Sequence, residues 1–178
     1  IEWIAEVCEE TIFSGETYSG NCVQSDACDL VLPDDLASCF FTDPPYYDAV
    51  PYSDLSDFFY VWLKRSLKDS FPELFQTELT EKDKECIVDD AKSKDNKYFE
   101  QTITKALAEG RRITKPSGVG IVVFAHKTTE GWEALLQGMV DSGWCFTASW
   151  PIDSEMGSRL RAQNSAALAS SVHLVCRP

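Results

Sequence analysis

Apolar positions along this chain change period several times, and the pattern predicts an α/β domain. The most continuous apolar run is Val119-Gly120-Ile121-Val122-Val123-Phe124-Ala125, which predicts a strand buried on both faces. Before it, Phe99, Ile103, Leu107 and Gly110 recur at helical spacing over about 97–113. Lys115-Pro116-Ser117-Gly118 then supplies the punctuation expected where a helix stops. After the strand, His126-Lys127-Thr128-Thr129 reads as an exit loop, and Trp132, Leu135, Leu136, Met139 and Val140 predict a helix over about 130–142. Trp144 to Ile152 and Ser170 to Cys176 read as strands, joined through 153–168 by a polar connection without a helix. A helix-free return makes that last pair an antiparallel hairpin, within a sheet expected to be mostly parallel.

The first half is less regular. Residues 1–13 predict an amphipathic helix, with Trp3, Ile4 and Val7 on one face and Glu2, Glu6, Glu9 and Glu10 on another. Asn21-Cys22-Val23-Gln24-Ser25-Asp26 reads as a short strand. Cys39-Phe40-Phe41 reads as a buried strand, cut off by Asp43-Pro44-Pro45-Tyr46-Tyr47-Asp48. Neither proline has an N–H to donate to a ladder, and the residue before each is pushed to extended geometry. Asp43 is therefore expected at the carboxyl edge of the sheet, where open α/β sheets bind ligands. Ser53 is the expected N-cap of a helix over about 54–68, whose Leu55, Phe58, Phe59, Trp62 and Leu67 read as core. Residues 71–95 lose periodicity and fill with charge, as a long surface excursion does.

A length of 178 residues suits one domain, and 44% hydrophobic content agrees with a globular one. No apolar run approaches the roughly 18 residues of a membrane span. The amphipathic pattern is already under way at Ile1, which reads as a piece of a longer chain. The formal charge of −13 is uneven, because residues 1–63 contain no Lys or Arg. Without a basic stripe the chain is not one that grips nucleic acid unaided; phosphate contacts would come from local loops or missing segments. Seven cysteines without a C-x-x-C pair read as free, buried thiols in a reducing compartment, hence a cytoplasmic location and no metal site.

The turn after the Cys39–Phe41 run carries the candidate chemistry. The Asp43 carboxylate and the Pro44 carbonyl are two acceptors on a stiff support. They suit an exocyclic NH₂, whose two hydrogens point apart. Bound this way, the nitrogen lone pair is aimed at an electrophile. Tyr46 offers a ring face for a planar base to stack on, so the base must be flipped out or single-stranded. The gain lies in positioning and electrostatics.

Asp43-Pro44-Pro45-Tyr46 resembles the D-P-P-Y motif of amino methyltransferases. With Gln24-Ser25-Asp26-Ala27, the segment Tyr52 to Arg65, Phe124-Ala125-His126-Lys127 and Asn164 to Ser171, the chain is similar to adenine-specific DNA methylases that carry a zinc ribbon. The resemblance runs through essentially the whole chain. It implies part of a Rossmann-like class I methyltransferase fold, with S-adenosylmethionine as cofactor and a flipped DNA base, adenine N6 first, as acceptor. It places Asp43, Pro44, Pro45 and Tyr46 at the reacting base, and Asp26 with Asp43 near the cofactor. Tyr47, His126, Lys127, Arg159, Arg161 and Asn164 are the further substrate-side candidates. The family's glycine-rich cofactor loop and zinc ribbon have no counterpart here, which implies a catalytic C-terminal half working with a missing N-terminal part. An RNA or protein-amide methyltransferase, an inactive nucleic-acid-binding half, and an unrelated nucleotide-binding domain are the alternatives. The absent phosphate loop counts against the last.

Overall fold

The computed structural model describes residues 20–152 and 171–178. The helix expected at 1–13 and the connection bearing Arg159, Arg161 and Asn164 lie outside the described residues. Among the described residues, four strands and three α-helices follow one another as β1 (Ala37–Thr42), α1 (Tyr52–Leu67), α2 (Asn96–Ile113), β2 (Thr114–Phe124), α3 (Thr129–Asp141), β3 (Cys145–Ile152) and β4 (Ser171–Arg177). The fold is α/β, and its strands form one sheet in the order β1-β2-β4-β3.

β1 and β2 are parallel, while β4 is antiparallel to both β2 and β3. The last hairpin is thus antiparallel as expected. The sheet as a whole is mixed, not mostly parallel. β1, β2 and β3 all run in one direction, but β4 lies between β2 and β3 and makes both of those contacts antiparallel. Neighbour order of this kind is decided by long-range packing, which period along the chain does not encode.

α2 forms because Phe99, Ile103, Leu107, Gly110 and Ile113 share one buried face, and the Asp95 side chain caps it by accepting from the Tyr98 N–H at 2.8 Å. The Thr128 side chain caps α3, which buries Gly131, Ala134, Leu135, Gly138 and Met139. These two helices share a core with Val122 and Phe124 of β2, Trp144, and Leu174 and Cys176 of β4. The Trp144 indole is apolar over its body yet donates to the Leu107 carbonyl at 2.9 Å, so its one polar atom is satisfied. Gly110 is required where it stands. A Cβ there would lie 2.4 Å from the Phe40 ring, so only glycine lets α2 approach β1.

Several expectations from the sequence fail. Lys115–Gly118 does not follow α2 as a loop, because β2 begins at Thr114, directly after the helix. The β1–β2 register shifts between Ala37 and Cys39, and that irregularity takes up Pro116, which has no N–H to pair. Asn21–Asp26 forms no strand; Asp26 makes only an isolated bridge with Asp29. Among the described strands β1 lies at an edge of the sheet, with Cys39 exposed and Phe41 60% exposed, and is not the buried strand expected. Of the six described cysteines, all free, Cys176 alone is buried, although half-buried Cys86 is also pushed up to about 12 by burial. No described group of His, Cys, Asp and Glu could hold a metal ion, and no described helix is long and apolar enough to cross a membrane.

The largest departure is α1. Its apolar stripe was expected in the core, yet none of its residues is buried, and Phe58, Phe59 and Trp62 are each more than half exposed. The polar face does the holding instead. Ser53 is not the cap: its N–H and hydroxyl donate to Glu85, and Pro51 stands at the cap position without a side-chain bond. Asp57 accepts from Thr80 and from Lys82 Nζ at 2.8 Å, while Tyr60 and Lys64 donate to the Thr77 carbonyl. The 71–95 excursion is therefore tied down along α1. It is anchored in turn by buried Lys94, whose ammonium donates to the Lys82 and Glu85 carbonyls.

Hydrogen bonds from Lys82, then Thr80, hold the Asp57 carboxyl down to about 2. A carboxyl depressed on folding contributes stability above its unfolded range, near pH 4, and loses it as pH falls through the folded value. NMR shifts of the α1 amides are expected to move between about pH 4 and pH 2 in the native chain. Asp57→Asn should remove that titration; an unchanged titration would place its origin elsewhere.

Candidate functional site

The site lies at the carboxyl edge of β1 and β2. The two strands are parallel neighbours, so the loops that leave them emerge side by side. Asp43-Pro44-Pro45-Tyr46 leaves β1, and Ala125-His126-Lys127 leaves β2. Asp43, Pro44, Pro45, Tyr46, Tyr47, His126 and Lys127 are thus brought to one edge, as the sequence implied for the turn and the exit loop.

The turn is stiffened by more than its prolines. Ala49 N–H donates to the Tyr46 carbonyl at 2.9 Å, and Val88 N–H to the Tyr47 carbonyl at 3.0 Å. Tyr47 has φ +56°, a left-handed conformation uncommon for a residue with a side chain. Its burial offsets that strain: the ring is 6% exposed and packs edge-on against Phe99 at 5.1 Å and His126 at 5.4 Å. The reversal turns Tyr47 inward and leaves its neighbours Tyr46 and Asp48 nearer the surface.

Tyr46 is half-buried and stands edge-on to Phe124 at 5.3 Å. Burial first, then the hydrogen bond to Asp43, pushes its phenol well above the ordinary range. It therefore stays protonated and donates to the Asp43 carboxylate. Asp43 is exposed, and no described residue takes up the Pro44 carbonyl. Burial also raises the Tyr52 phenol, partly offset by a hydrogen bond from the Tyr46 backbone, so α1 begins against the turn. What the turn offers chemically is one carboxylate and one carbonyl, both acceptors, beside a phenol ring that is already locked.

His126 is buried, and its ring joins the two loops. Nε2 lies 2.9 Å from Asp48 Oδ1, while Nδ1 faces the Thr128 N–H at 3.2 Å. Neither composition nor period signalled this pair. In the sequence Asp48 simply ends the Asp43-Pro44-Pro45-Tyr46-Tyr47-Asp48 stretch, and the two residues stand 78 positions apart. The only hint was that both follow strands expected to lie in one sheet. Lys127 is exposed beside it.

Asp26 is not part of this grouping. The strand whose end it was expected to mark does not form, and its carboxylate instead accepts from the Cys28 N–H and pairs with Lys84 at 3.7 Å. A cleft of about 530 Å³ lies between α2 and α3, with Glu100, Glu130 and Glu133 on its walls. Among the described residues it touches the site through Tyr47 and includes neither Asp43 nor Tyr46. A scan of protein-family models and a search of curated proteins return no match for this chain.

Proposed function

We propose that this chain is the acceptor half of an S-adenosylmethionine-dependent DNA amino methyltransferase, with adenine N6 as the preferred target. One observation carries the reading. The Asp43 carboxylate and the Pro44 carbonyl, which no described residue takes up, stand on a stiff turn at the carboxyl edge of parallel strands. The position of the antiparallel β3–β4 hairpin agrees with the methyltransferase sheet that the motif resemblance implies.

In this reading the amino group of an unpaired base donates one hydrogen to Asp43 and the other to the Pro44 carbonyl. Both bonds draw the nitrogen into a fixed orientation with its lone pair turned outward. The Tyr46 hydroxyl fills part of the carboxylate's accepting capacity, which orients the remaining oxygen. Positioned acceptors of this sort lower a barrier without covalent chemistry.

The donor, when bound, supplies an electrophilic methyl group. The described residues do not form its cradle: they contain no glycine-rich turn after a strand, and Asp26 is tied to Lys84. The reading assigns the cradle to a preceding part of the enzyme that pairs along the edge of β1 that no described strand covers, where Phe41 is exposed. DNA would then meet an assembled site.

The test is transfer of labelled methyl groups to unmodified DNA and RNA, by this chain and by a version extended at its N-terminus. N6-methyladenine in DNA from the extended version is the expected product. An extended version that binds the cofactor yet labels neither nucleic acid would sink the proposal.

A further inference from the structure

We propose that His126 is a positioning residue that acts through Asp48 to hold the acceptor turn in its working shape. The inference rests on the reading of that turn as the receiver of an amino group. Its physical content is a second support, independent of the prolines, joining the turn to the end of β2.

The contacts on Nδ1 favour one tautomer, because the Thr128 N–H and hydroxyl both lie at 3.2 Å and the Thr128 carbonyl only at 3.5 Å. The Thr128 N–H donates to Nδ1 at 3.2 Å, which makes Nδ1 the acceptor and leaves the ring proton on Nε2. Nε2–H then donates to Asp48 Oδ1 at 2.9 Å. The ring is also seated. Gly131 lies so close beneath it that an added Cβ would be 2.3 Å from Nδ1. Trp132 Nε1 donates to the His126 carbonyl at 3.0 Å, and Phe124 stacks at 6.2 Å. A donor held this firmly can impose a position on its acceptor.

The acceptor is the less constrained partner. The Asp48 side chain is 59% exposed against 6% for His126, so Asp48 is not held by packing. It directly follows Tyr47, the residue in the left-handed conformation, and precedes Ala49, whose N–H closes the turn onto Tyr46. Fixing Asp48 therefore fixes the exit of the reversal, and with it the entry that carries Asp43 and Pro44. A histidine needed only to fill space would not require its far nitrogen to meet an exposed carboxylate.

The test uses His126→Ala, His126→Gln, Asp48→Ala and the double alanine variant, in the N-terminally extended enzyme. Glutamine places an amide N–H near the position of Nε2. His126→Ala and Asp48→Ala are expected to lower kcat at least tenfold with KM for the donor unchanged. The double variant should lose no more than either single one, and His126→Gln should recover most of the loss. Hydrogen exchange at the Ala49 amide should accelerate in the alanine variants and stay slow with glutamine, while the core amides of α2 hold their rates. Multiplicative losses in the double variant, or an unchanged Ala49 exchange, would overturn the proposal. Should the wild type methylate nothing while Ala49 still responds, the functional reading fails and the latch stands.

Discussion

Asp43→Ala is expected to lower the rate of methyl transfer by at least about 100-fold, the scale of removing one positioned electrostatic partner from a reacting centre. The fold should not change, because Asp43 is exposed and its only described partner is the Tyr46 hydroxyl. Asp43→Asn separates charge from geometry. Its amide oxygen still accepts, but its NH₂ cannot, so the loss should be intermediate. Tyr46→Phe removes the phenolic donor while keeping the ring against Phe124, and should cost less than either. Initial rates with labelled donor, beside melting curves of each variant, decide the matter. A rate within twofold of wild type in Asp43→Ala would remove that carboxylate from the site.

Phe99→Ala should be the most damaging single truncation for stability, at about 3–5 kcal/mol. Phe99 is fully buried in the core shared by α2, β2 and α3. Its loss leaves a hole that the capped helices cannot close. The damage also reaches the turn, because Tyr47 rests edge-on against Phe99 at 5.1 Å. The urea midpoint should fall sharply in this variant, and with it the protection of the Tyr46–Ala49 reversal. Trp62→Ala is the contrast: a larger ring, 56% exposed, whose removal should shift the midpoint little. Comparable shifts for the two would mean that the Phe99 cluster is not what holds the fold together.

The sequence conveyed the locally determined parts well. α2 and α3 could be read because each carries a full apolar stripe, and β2 because seven apolar residues in a row leave a strand little choice. The final hairpin followed from a polar stretch whose sequence predicts no helix. α1 shows where period stops informing: Leu55, Phe58, Phe59 and Trp62 do share a stripe, but spacing says nothing about what that stripe faces. Here Asp57, Ser53 and Tyr60 on the other side find partners in the 77–85 segment, and the polar face is the one that docks. The turn at Asp43 was readable because proline chemistry is local. The link from Asp48 to His126 was not, since it depends on two distant strand ends meeting.

The bare aromatic stripe of α1 has a practical consequence for anyone judging the state of this protein in a tube. Fluorescent dyes that brighten on contact with apolar surface are commonly taken to report a loosened, molten interior. This chain should brighten such a dye while every core side chain is in place, because Phe58, Phe59 and Trp62 already present that surface in the native state. Dye signal alone will therefore misclassify well-folded preparations, and near-ultraviolet dichroism from buried Trp144 is the better witness.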